Sequence, residues 1–91
     1  MVFSIVDEIR SGDWGSVDKT ALSGQLQKGL EEEDESTRAA IREVYALIRS
    51  EDITEAPSQN WVLPHHEITG GKVILNRGGL GAAAAALVGW G

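Results

Sequence analysis

Apolar residues recur at helical spacing through most of the first fifty positions and at strand spacing over residues 61–76. In "FSIVDEIR", Ile5, Val6 and Ile9 share one helical face, so the pattern predicts a short helix that Ser11-Gly12 ends. In "GDWGSVDKTALSGQLQKGL", Ser16 or Asp18 can cap a helix that carries Leu22, Leu26 and Leu30 at four-residue spacing. Gly24 and Gly29 each weaken it by about 1 kcal/mol relative to alanine, which predicts a short or frayed helix. The clearest pattern is "ESTRAAIREVYALIRSED". Ile41, Val44, Tyr45 and Ile48 fall at i, i+3, i+4 and i+7, Ala40 and Leu47 widen the stripe, and Arg38, Arg42, Glu43 and Arg49 lie on other faces. Ser36 and acidic residues at its start and Arg49 near its end suit the helix dipole.

A polar loop, residues 51–60, then leads to two short β-type runs, "WVLPHHEI" and "GKVILN". Thr69-Gly70-Gly71 between them supplies the positive φ of a tight turn, so residues 61–76 are expected to form a β-hairpin. Pro64 cannot donate a ladder hydrogen bond, which puts the first run at an edge or interrupts it. Asn76 can cap a last helix over 77–89, with Leu80, Ala83, Ala84, Leu87 and Val88 on its buried side and Gly89 as its stop. The expectation is one α+β domain over residues 1–91: a mainly helical stretch to residue 50, with two to four helices packed on a short hairpin that runs into the alanine-rich helix.

With 91 residues the chain makes one small core and has little room for a deep pocket. It has no cysteine, so disulfides and thiolate metal sites are excluded, which suits a reducing compartment such as a host cytoplasm, or a virion. Its opening residues do not read as a signal peptide, because Asp7 and Glu8 follow a short apolar run with no basic leader. No apolar stretch is long enough for a bilayer. The formal net charge of −6, concentrated at Glu31 to Glu35, argues against a phosphate-backbone partner. That run reads as a solvated turn between two helices, or as an edge that meets a basic partner.

His65 and His66 are the only histidines. On one strand they would point to opposite faces, which places them poorly for sharing a metal, and the obvious third ligand is Glu67. The same three residues could do acid–base work, although no serine or cysteine pattern marks a nucleophile. In "ILNRGGLGAA", the backbone N–H groups at Asn76, Arg77, Gly78 and Gly79 could bind a carboxylate or phosphate at the helix start. The spacing is neither G-x-G-x-x-G nor a P-loop, and the glycines equally serve a tight strand-to-helix turn.

Trp14, Val17, Lys19 and Leu22 fit the pattern Trp-x-x-Val-x-Lys-x-x-Leu; Trp61, Leu63, Pro64, His65 and His66 fit an aromatic followed by Leu-Pro-His-His; Asn76, Arg77 and Gly78 fit Asn-Arg-Gly ahead of an alanine run. Together these segments, about half of the chain, resemble a module of tailed-phage and prophage proteins found in or beside the capsid maturation (prohead) protease. The chain departs from that module at Val88-Gly89-Trp90-Gly91, where the module has Gly-Ala-Arg-Gly-Gly, and in its amphipathic helix around Ile41 to Ile48. The module does not carry the protease's catalytic residues, so the resemblance implies phage association and not peptidase activity. The expected function is therefore a non-enzymatic interaction or structural module, with a protein partner, in head assembly or another complex, and with no cofactor. Trp61, His65, His66, Arg77 and Trp90 are the candidate contact residues, since aromatics and arginine dominate binding hot spots, while Trp61 equally suits the core and one histidine can cover the core with the other exposed. The alternatives are a metal-assisted or acid–base enzyme at His65, His66 and Glu67, and a nucleic-acid-binding module that the acidic charge disfavours.

Overall fold

The computed structural model describes residues 2–89, without the side chain of Ser58. The elements in chain order are β1 (Ser4–Arg10), a 3₁₀ turn (Trp14–Ser16), α1 (Lys19–Glu31), α2 (Glu35–Val44), β2 (Tyr45–Ile48), the single turn α3 (Pro57–Asn60), β3 (Trp61–Pro64), β4 (His66–Thr69), β5 (Lys72–Asn76) and α4 (Arg77–Val88). The strands form two sheets: β1-β5-β4 and the pair β2-β3. The α+β class is as expected.

Residues 4–10 are a strand and not a helix. β1 runs parallel to β5, with Ile5 beside Val73 and Ile9 beside Leu75, and a bulge between those pairs takes up the extra residues around Asp7 and Glu8. The β-branched Ile5, Val6 and Ile9 suit a pleated surface, and their spacing fits a bulged strand as well as a helix. Its partner lies at the other end of the chain, which local periodicity cannot report.

α1 forms at full length, capped by the Asp18 carboxylate, which accepts from the Ala21 N–H at 2.9 Å. Leu22 and Leu26 are buried and Leu30 packs against the core, as the spacing predicts. Gly29 is needed rather than merely tolerated. A Cβ there would stand 2.3 Å from Thr37 Oγ1 on α2 and 2.9 Å from the Phe3 ring, so glycine lets α1, α2 and the residue before β1 meet. The acidic run becomes the turn between α1 and α2, where Glu33 takes φ 56° and Asp34 caps α2 through the Ser36 N–H.

α2 buries Thr37, Ala40, Ile41 and Val44. The helix expected to continue through residue 48 stops at Val44, and Tyr45–Ile48 become β2, with Leu47 opposite Val62 and Ile48 opposite Trp61. The expected hairpin is likewise divided. Trp61–Pro64 leave for the second sheet, and the hairpin proper is β4-β5, closed by Gly70 at φ 56° and Gly71 at φ 81°. Both φ values are positive, which is what a two-residue turn of this hand requires. The polar loop is anchored in the core by Ile53, which is 1% exposed and whose carbonyl accepts from Trp61 Nε1 at 2.8 Å.

α4 begins and ends where the sequence predicts. Asn76 caps it through the Gly79 N–H at 3.1 Å, and Gly89 follows its last turn. Its packing face differs from expectation. Gly79 and Ala83 are buried, whereas Leu80 and Leu87 are each 48% exposed and Val88 is 86% exposed. The helix docks through its small residues because close approach to β3, β5 and Trp14 leaves no room for larger ones: a Cβ on Gly79 would lie 2.7–2.9 Å from the Trp14 ring.

Candidate functional site

Two polar centres flank β4, because consecutive residues on a strand point to opposite faces. His66 lies on one face and Glu67 on the other. The proposed grouping of His65, His66 and Glu67 is therefore not what the fold assembles.

Around Glu67, Arg10 Nη1 donates to Oε1 at 2.8 Å and to Thr69 Oγ1 at 3.2 Å. Asn76 Nδ2 donates to Glu67 Oε2 at 2.9 Å while Asn76 Oδ1 accepts the Gly79 N–H. Asn76 is fully buried, and its two functions fix the orientation of its amide. Bonds to Glu8 first, then to Glu67, hold the Arg10 guanidinium above its usual range. It borders an open groove of about 490 Å³ that Asp13, Asp18 and Gln25 also line. The Asp13 and Asp18 carboxylates are engaged as caps of the 3₁₀ turn and of α1.

On the other face, His65 and His66 do not diverge. His65 lies between β3 and β4, outside both strands, after Leu63 has taken a left-handed φ of 61°. The regular alternation is broken at this sheet-to-sheet passage, so neighbouring rings turn toward each other with centroids 4.7 Å apart and Nδ1 atoms 2.6 Å apart. The backbone of His65 is pinned on both sides: its N–H donates to Val44 O at 2.9 Å, and its carbonyl accepts from Asn76 N–H at 3.0 Å. A non-glycine residue at this φ is strained, and such strain concentrates where the surroundings fix a geometry.

Glu43, on α2, places Oε1 3.6 Å from His66 Nε2. Burial pushes both imidazoles below their ordinary range; repulsion from His65 adds to this for His66, and Glu43 opposes it for both. The contact between the two Nδ1 atoms joins a donor to an acceptor, and the tautomers of the two rings set which is which.

The other expected residues are dispersed. Trp61 is 4% exposed and stacks 5.6 Å from Tyr45 in the core, so it is not a surface contact. Arg77 is exposed in the first turn of α4. Trp90 lies outside the described residues. At the α4 start, Asn76 takes the Gly79 amide and Trp14 covers Gly78 and Gly79, which fills the cradle expected for an anion from within the chain. Lys19 also packs on Trp14, with Nζ 4.5 Å from the ring centroid.

Glu43 and Arg10 were not legible as site residues. Glu43 looks like any polar-face residue of an amphipathic helix, and Arg10 reaches Glu67 only through the unexpected strand pairing. One surface stands out by its chemistry: Leu80, Ala84, Leu87 and Val88 lie at i, i+4, i+7 and i+8 along α4, all exposed, and no charged residue occurs from Gly78 to Val88. No helix among the described residues is long and apolar enough to cross a membrane. Comparison with protein-family models, with curated proteins and with solved structures finds no match for this chain.

Proposed function

We propose that this chain is a non-enzymatic protein-interaction module whose docking element is the Leu80–Leu87–Val88 face of α4. The observation that carries this reading is that a helix with no charge after Arg77 presents its large apolar side chains to solvent and its small ones to the core. Apolar surface of that kind is stabilised by removal from water, and a helical stripe fits an apolar groove or a second helix. The remainder of the chain is acidic, with a formal net charge of −6, so the fitting partner has an apolar contact strip with a basic rim. Head assembly of a tailed phage is the setting in which we place it. The resemblance to the prohead-protease-associated module supports that setting, and two of the three resembling segments meet where Trp14 packs on Gly78 and Gly79.

The absence of native cysteine makes a direct test simple. Leu87→Cys, labelled with an environment-sensitive dye, is mixed with purified capsid, scaffold and prohead-protease proteins of a tailed phage. A blue shift and protection of the dye on complex formation are expected. A complex that forms while the dye stays in water would sink the assignment of this face.

A further inference from the structure

We infer that the outer edge of β4, which faces α1 across the groove, is a docking site for an extended peptide segment of a protein partner, one that carries an apolar residue flanked by lysine or arginine. This surface is separate from the α4 face and does not depend on it. Glu67, Ile68 and Thr69 all line the groove. Consecutive strand residues alternate between the two faces of a sheet, so a cavity that all three border runs along the edge of the strand and not over one face. Its other wall is one side of α1, where Asp18, Ala21, Leu22 and Gln25 fall at i, i+3, i+4 and i+7. At about 490 Å³ the groove is in the size range of binding clefts.

The edge offers backbone hydrogen bonds. Among the described residues β4 is an outer strand of its sheet, paired with β5 alone. The Asn76 N–H donates to His65 O at 3.0 Å, and bonded and non-bonded pairs alternate along an antiparallel ladder, so Glu67 and Thr69 bond to Ile74 and Lys72. Ile68, between them, therefore directs its N–H and C=O away from β5. An added strand satisfies both groups, and the side chain it places opposite Ile68 shares the face of Ile68. Val17 and Leu22 give that side chain an apolar floor. Charge selects what flanks it. Arg10 is balanced by Glu8 and Glu67, whereas Asp13 and Asp18 each cap through Oδ1 and keep a second oxygen for a cation. With the chain at a formal net charge of −6, a basic segment is attracted and an acidic one repelled.

The probe is the peptide acetyl-Thr-Lys-Val-Lys-Thr-amide, titrated to millimolar concentration into the ¹⁵N-labelled full chain. Saturable amide shifts are expected at Glu67, Ile68 and Thr69 and along α1 from Asp18 to Gln25, with none from Leu80 to Val88, and with nuclear Overhauser contacts between Ile68 and the central valine of the peptide. Methylating the nitrogen of that valine removes a ladder donor and should weaken binding about tenfold. The double variant Asp13→Asn/Asp18→Asn keeps both caps, because asparagine caps as well as aspartate, and should weaken binding about threefold while removing most of its salt dependence. Absence of saturation, shifts confined to α4, equal affinity for the peptide with glutamate in place of both lysines, or concentration-dependent shifts at Ile68 without peptide, as in self-association, would each overturn the site.

Discussion

Two helices of this chain use apolar residues in opposite ways. α2 is amphipathic and buries its large side chains, with Ile41 and Val44 fully inaccessible. α4 is apolar nearly throughout, yet it buries Gly79 and Ala83 and leaves Leu80, Leu87 and Val88 in water. Apolar spacing therefore identifies a face but not whether the protein's own core occupies it. Where a helix must come close to its support, small residues face inward, and the larger ones are left for another surface.

The contrast is broken most severely in α2. Ile41→Ala leaves a cavity in the core, and unfolding in denaturant should show a loss of about 2–5 kcal/mol. If the loss were below 1 kcal/mol, α2 would not be the helix on which the core depends. Next come the glycine contacts that set helix spacing. Gly29→Ala drives a methyl into Thr37 and Phe3, and Gly79→Ala drives one into the Trp14 ring, each at an expected cost of about 1–3 kcal/mol. Gly24, with nothing within 4 Å of an added Cβ, is the control: alanine there should stabilise α1 by up to about 1 kcal/mol.

A smaller gain is expected at Thr37, whose fully buried hydroxyl has no hydrogen-bond partner. Thr37→Val keeps the shape and removes the orphaned oxygen, and should raise stability by about 1 kcal/mol. The acid limb of the stability curve gives a subtler readout of the α2 cap. Bonds from the Ser36 side chain, then from its backbone, hold the Asp34 carboxyl below its ordinary 3.8. The folded state thus binds fewer protons there than the unfolded chain, so this contribution is complete above that ordinary value and disappears as pH falls through the lowered one. Asp34→Asn should flatten that limb, which circular dichroism across pH 2–5 would detect.

These contacts also mark what the sequence could disclose. The Asp18 and Asn76 caps, the Leu22–Leu26–Leu30 stripe, the Gly70-Gly71 turn and both ends of α4 depend on neighbours within a few residues, and each was readable. β1 was not, because its partner β5 begins only at Lys72, and a bulge let its isoleucines imitate a helical face. β2 was missed because Tyr45 and Ile48 continue the α2 stripe without a glycine or proline to stop it; pairing with Trp61–Pro64 overrides that local preference. The candidate sites follow the same rule. His65 and His66 were visible as residues, but their convergence rests on the left-handed Leu63 and the passage between two sheets, and Glu43 joins them only through the docking of α2.

The central claim is that the α4 leucine face serves a partner and not the fold. Equilibrium unfolding of the double variant Leu80→Glu/Leu87→Glu tests it most directly. The account predicts a stability within about 0.5 kcal/mol of the parent, as for other exposed substitutions. A loss comparable to that of Ile41→Ala would show that those leucines belong to the core and would contradict it.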